Sequence, residues 1–138
     1  MRTLWTDGSA SPNPGPGGFS VIENGQPVAL GSDKDTTNIR MEGSALIAAL
    51  ELLDGEEAEI RTDSEFWINV LTKWASTWEK QGWKKKNGPI QNLEMVKKLY
   101  GLYGNSKAKL VWVRGHEGTE MNELADEWAN KARKGAKL

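Results

Sequence analysis

Ile39-Arg40-Met41-Glu42-Gly43-Ser44-Ala45-Leu46-Ile47-Ala48-Ala49-Leu50-Glu51-Leu52-Leu53 decides the fold. Wound as a helix, this stretch puts Ala45, Leu46, Ala49 and Leu53 on one face with Glu42 near its centre. It is apolar over much of its circumference, as a helix buried inside a layered domain is. A carboxylate on such a stripe is costly to bury unless a cation or hydrogen bonds compensate it. Thr36, Thr37 and Asn38 offer N-caps, and Asp54-Gly55 stops the helix.

Strand patterns flank it on both sides. Thr3-Leu4-Trp5-Thr6 reads as a strand ending at Asp7, and Ala58-Glu59-Ile60-Arg61-Thr62 as one ending at Asp63. Phe19–Glu23 and Val28–Leu30 read as a pair joined by the tight turn Asn24-Gly25, while the Pro/Gly run 11–18 reads as a loop. Beyond residue 63 the pattern predicts helices at Glu65–Trp74 and Leu93–Tyr103, separated by a Trp/Lys segment and by Asn87-Gly88-Pro89. A strand follows at Lys109–Val113, then the glycine-flanked Arg114-Gly115-His116-Glu117-Gly118. The last helix carries Met121, Leu124, Ala125, Trp128, Ala129 and Ala132 at helical spacing, and 134–138 reads as a frayed tail. Three strands followed by alternating helices and strands predict an α/β fold, a mixed five-stranded sheet flanked by helices in a single domain over 1–138. Both carboxylate-tipped strands place their charge at the C-terminal end, where open α/β sheets bind ligands.

The composition narrows the chemistry. With 138 residues, 38% hydrophobic and 27% charged, the chain is long enough for one proper core. It has no cysteine and one histidine, which excludes disulfides and thiolate metal sites and disfavours zinc. The start Met1-Arg2-Thr3-Leu4-Trp5 lacks an apolar signal core, and no window approaches the roughly 18 apolar residues of a membrane span, so a cytoplasmic, membrane-free protein is expected, with a monomer as the default state. Net charge is −1, but residues 73–98 hold seven lysines against Glu79 and Glu94, a local +5 that leaves −6 elsewhere. A basic protrusion beside an acidic body suits a protein that grips phosphates in one place and divalent cations in another.

Asp7, Glu42, Asp63 and Asp126, each from a separate element, would form a hard oxygen site for Mg²⁺ or Mn²⁺. Two such ions about 4 Å apart serve phosphodiester hydrolysis without a Ser or Cys nucleophile. Each acid also has a plainer use. Asp7 before Gly8-Ser9 would serve as a turn cap, Asp63 as a cap for the helix near Glu65, and Asp126 lies beside the apolar stripe, where a solvated face is the simpler reading. His116 between glycines suits proton transfer to an attacking water, or is a surface loop histidine. Seven tryptophans are many; most read as packing, although Trp74, Trp78 and Trp83 beside Lys84-Lys85-Lys86 also fit a nucleic-acid backbone clamp.

Five segments in order resemble the type 1 ribonuclease H family: Thr6-Asp7-Gly8-Ser9 with 13–18, Thr37 through Glu42, Thr62-Asp63-Ser64, Trp74 through Lys85, and Val113-Arg114-Gly115-His116 with Asn122 through Asp126. The resemblance implies an endonuclease that cuts the RNA strand of RNA–DNA hybrids, leaving 5′-phosphate and 3′-hydroxyl ends. It implies two Mg²⁺ held by Asp7, Glu42, Asp63 and Asp126, with Mn²⁺ as a substitute and His116 assisting proton transfer or product release. Asn13 and Asn38 would face the hybrid's minor groove, Thr37 and Arg40 its phosphates, and Trp74 with Lys84, Lys85 and Lys86 its DNA strand. The chain departs from the family at Ile39, where many relatives are expected to carry a polar groove-contacting side chain. Glu65 stands where bacterial members are expected to carry a neutral amide, and the acidic pI of about 5.9 differs from strongly basic relatives.

Overall fold

A computed structural model describes residues 1–114 and 120–138. Five strands, β1 (Arg2–Ala10), β2 (Gly15–Glu23), β3 (Gln26–Thr36), β4 (Ala58–Thr62) and β5 (Ala108–Trp112), form one sheet in the order β3-β2-β1-β4-β5. β1 and β3 pair antiparallel with β2, whereas β4 runs parallel to both β1 and β5. The helices are α1 (Asn38–Leu53), α2 (Glu65–Asn69), α3 (Ala75–Lys80), α4 (Leu93–Gly104) and α5 (Glu120–Arg133), with a π-helical turn at Val70–Trp74 joining α2 to α3.

Alternation along β1 divides the protein into layers. Leu4 faces one way, with Val21 and Ile60, into a core completed by Leu46, Ala49 and Leu53 of α1, Trp67 of α2, and Val96 and Leu99 of α4. Trp5 faces the other way, with Ile22, against Ala125 of α5 and the half-buried Met121, Leu124 and Trp128. The period of two then sends Asp7 to the α5 side and Gly8 to the α1 side. α1 begins at the cap Thr37, whose Oγ1 accepts from the Arg40 N–H at 3.2 Å, and ends at Asp54 in the left-handed conformation, φ 45°.

The strands exceed what the sequence predicts. β1 continues three residues past Asp7, β2 absorbs Gly15-Pro16-Gly17-Gly18, and β3 runs from Gln26 to Thr36 instead of Val28–Leu30. These additions are mostly Gly, Pro, Ser, Asp and Lys, residues of low β propensity held by the neighbouring ladder and not by their own preference. Pro16 falls at a register shift between Gly15 and Gly17, a position that needs no ladder N–H. Gly18 is fixed by close approach: a Cβ there would lie 2.4 Å from the Arg133 nitrogen and 2.5 Å from the Ala129 oxygen, so the last turn of α5 rests on bare backbone. The helix predicted to end at Trp74 continues through the π turn to Lys80. Among the described residues, no helix is long and apolar enough to cross a membrane.

Candidate active site

β1 and β4 stay paired only from Arg2–Ala58 to Trp5–Arg61; beyond that β1 continues alone against β2, with Asp7 opposite Ser20. Asp7 is therefore a mid-strand residue and not the strand end that the sequence predicts. It stands where its parallel neighbour has run out, and Asp63 follows directly on the last residue of that neighbour. Glu42 projects from the second turn of α1. That helix reaches β1 because residue 8 has no side chain: a Cβ on Gly8 would meet the Met41 carbonyl carbon at 2.3 Å and the Glu42 nitrogen at 2.4 Å. Asp126 lies on α5 one turn after Asn122, a buried polar residue among the alanines of the helix's inner face. The four carboxylates line one open cleft of about 320 Å³ together with Gly8, Ser9 and Asn38.

Their electrostatics are those of acids gathered without enough compensation. Asp7 is 8% exposed, and its carboxyl is held well above the usual range, first by burial and then by the charges of Asp63 and Asp126. Glu42 is pushed up to about 7, again by burial and then by Asp63, with a hydrogen bond to Ser64 acting the other way. Repelling carboxylates in a partly dry cleft make an all-oxygen donor set suited to hard divalent cations. Among the described residues no three His, Asp or Glu side chains stand as a ready cage for one ion. Mg²⁺ does not need such a cage, since it is usually held by one or two carboxylates and completed by waters and substrate phosphates.

The remaining candidates fall in three places. Asn38 lines the carboxylate cleft, and Asn13 and Thr37 line an adjoining cavity of about 560 Å³ with Pro14, Ile39, Gln91 and Asn92. The two asparagines are tied together: Asn38 N–H donates to Asn13 Oδ1 at 3.1 Å, and Ala10 N–H donates to Asn38 Oδ1 at 2.7 Å. Arg40 Nη1 donates to Asn92 Oδ1 at 3.1 Å. Trp74 is 42% exposed, with its ring 6.4 Å from Phe66 and 6.1 Å from Trp78, away from both cavities. Lys84, Lys85 and Lys86 are exposed between α3 and α4 and line neither cavity. His116 lies outside the described residues.

Ser9, Gln91 and Asn92 line these cavities without being singled out by the sequence. Ser9 was legible as the neighbour of Asp7-Gly8. Gln91 and Asn92 carried no such signal, because their meeting with Asn13 and Thr37 depends on how α4 packs against α1.

Comparison with known proteins covers nearly the whole chain. The sequence profile of the RNase H family matches residues 1–134. The ribonuclease H of Granulibacter bethesdensis is 40% identical over 135 residues, 94% of this chain and 90% of that protein. Among solved structures, LC9-RNase H1, described as a type 1 RNase H with the type 2 active-site motif, superposes with a TM-score of 0.84 at 28% identity, over 97% of this chain and 72% of that one. LC11-RNase H1 in complex with an RNA/DNA hybrid gives 0.67 at 28% identity, over 97% of both chains.

Proposed function

This chain belongs to the ribonuclease H family and is a nuclease, a phosphodiester hydrolase; from that premise we propose that it cuts the RNA strand of RNA–DNA hybrids endonucleolytically, leaving 5′-phosphate and 3′-hydroxyl ends. One observation carries the reading: four carboxylates from β1, α1, the end of β4 and α5 converge on a single cleft. The hybrid held by LC11-RNase H1 supports the choice of substrate.

Asp7, Glu42, Asp63 and Asp126 would hold two Mg²⁺, or Mn²⁺ in substitution. The fit rests on their donor chemistry and on the raised pKa values of Asp7 and Glu42, a strain that a bound cation would relieve. When bound, such ions activate water on one side of a phosphodiester and stabilise the leaving oxygen on the other. The protein's own residues orient the substrate. Asn13 Oδ1 accepts from the Asn38 backbone N–H, and Asn38 Oδ1 in turn accepts from the Ala10 N–H at the end of β1. Among the described residues no hydrogen bond takes up either Nδ2 group, so both remain donors toward a minor groove, where the ribose 2′-hydroxyl distinguishes RNA from DNA. Thr37 and Arg40 attend the backbone phosphates. Trp74 and Lys84–Lys86 follow the DNA strand, and His116 assists proton transfer.

The test is incubation of the protein with end-labelled RNA–DNA hybrid, double-stranded RNA and double-stranded DNA, each with Mg²⁺ and with chelator. Magnesium-dependent cutting confined to the RNA strand of the hybrid is expected. Hybrid binding without cutting in either Mg²⁺ or Mn²⁺ would leave a non-catalytic binding module, and cutting of duplex DNA would leave a DNA-directed nuclease. Asp7→Asn should lower the rate by roughly three orders of magnitude, the loss of several kcal/mol of charge stabilisation, while hybrid binding persists.

A further inference from the structure

We infer that Trp112 is a stacking platform for an unpaired nucleobase, on a site beside the carboxylate cleft that takes the RNA strand where it leaves the hybrid as a single strand. The inference rests on the hybrid-cutting reading above. β5 is an edge of the sheet, and alternation along it turns Leu110 and Trp112 to the same face. Leu110 packs against the first core. Trp112, the last residue of the strand, reaches past that core and is 41% exposed. An indole is a large apolar surface with one polar edge, and here it stands open at the end of the sheet where ligands bind.

Strand register puts this ring next to the chemistry. Trp112 pairs with Thr62, the residue before Asp63, and Val113 N–H donates to the Thr62 carbonyl at 2.9 Å. Glu65, Ile68, Asn69 and Trp112 line a cavity of about 210 Å³, below the roughly 300 Å³ at which pockets take whole drug-sized ligands. Its size fits one heterocycle without the attached sugar and phosphate. The exposed carboxylate of Glu65 repels a phosphate from this cavity, Ile68 offers an apolar contact, and Asn69 offers an amide to a base edge. The Arg114 guanidinium lies 5.9 Å from the Trp112 ring centroid, at the limit of cation–π reach. From there it can pair with the phosphate of a nucleotide whose base lies on the indole. Bases inside the hybrid are already stacked on their neighbours, so only an unpaired nucleotide has a face to give. The strand is the RNA, because the cleft that opens at Asp63 is where the RNA is cut.

The experiment is steady-state cleavage of a blunt RNA–DNA hybrid, and of the same hybrid with a short single-stranded RNA tail at one end or the other, by the unmodified protein, Trp112→Leu and Trp112→Phe. Stacking of one base, made equally in ground and transition states, should lower KM for one tailed hybrid about five- to tenfold relative to the blunt one and leave kcat unchanged. Trp112→Leu keeps an apolar side chain beside Ile68 but has no aromatic face, so it should abolish that advantage and leave blunt-hybrid cleavage as it was. Trp112→Phe should retain most of the advantage. Equal KM for blunt and tailed hybrids overturns the inference. So does an advantage that survives Trp112→Leu, including the case in which the variant weakens blunt and tailed hybrids alike and the indole is only a support of α2. A tail of abasic nucleotides keeps every phosphate, and an advantage that persists with it belongs to Arg114 and overturns the base site. An advantage given by a tail on the DNA strand alone overturns the strand assignment. Failure of the unmodified protein to cut the blunt hybrid at all would instead overturn the functional reading on which this one stands.

Discussion

Glu42 is half-buried near Asp63, and its carboxyl titrates near 7 in the folded chain against an ordinary value of 4.5. Between those two pH values the folded state holds protons that the unfolded state has released. Stability conferred by this group is therefore complete below about 4.5 and is lost as pH rises to about 7. The penalty is on the order of 3 kcal/mol for Glu42, and Asp7 acts in the same direction. Thermal melts of the metal-free protein should accordingly fall from pH 5 to pH 8. Glu42→Gln should flatten that slope, and Mg²⁺ should raise the melting temperature more at pH 8 than at pH 5. A slope identical in Glu42→Gln would show that desolvation of Glu42 is not its origin. Glu42 was legible in the sequence because it broke an apolar stripe. Asp126 was legible through its motif and not through periodicity, because its neighbour on the inner face of α5 is the polar Asn122, and a helix face that buries an asparagine looks solvated from spacing alone.

The elements are positioned by what they lack at particular points. α1 touches β1 through Gly8, and α5 touches β2 through Gly18. Gly8→Ala should cost about 2–3 kcal/mol, because the added methyl meets helix backbone that cannot move aside as a flexible side chain would. Since the displaced segment carries Glu42, kcat should fall by more than KM rises, as steady-state kinetics on a hybrid would show. A variant of unchanged stability and rate would mean that α1 does not need this close approach. The same residues explain where the sequence misled. Runs of Gly, Pro, Ser and Asp carry no strand signal, yet in β2 and β3 the small residues let helices approach and the polar ones face solvent on an edge. Helix α1, the order of strands and helices, and the mixed sheet were legible because long periodic segments announce themselves. The full lengths of β1, β2 and β3 were not, because pairing with a neighbour created them.

Taken whole, the molecule separates its charges: +5 over residues 73–98 and −6 over the rest. Net attraction to a polyanion is thus concentrated in the segment bearing Lys84, Lys85 and Lys86, while the body as a whole carries net negative charge. Replacing these three lysines by alanine should raise KM for the hybrid with little change in kcat. It should also make log KM less steep in log salt by about one unit for each phosphate that the lysines no longer neutralise. Cleavage measured across a series of KCl concentrations reads both, and an unaltered salt slope would remove these lysines from the substrate path. The layered architecture has a consequence in time as well as in space. Asp7 faces the α5 layer, Glu42 comes from the opposite layer, and Asp126 belongs to the last helix in chain order. A chain synthesised only as far as β5 holds Asp7, Glu42 and Asp63 but lacks both Asp126 and the helix that covers Trp5 and Ile22. Completion of the carboxylate cleft and closure of the second core therefore wait on the same event in time, the arrival of α5.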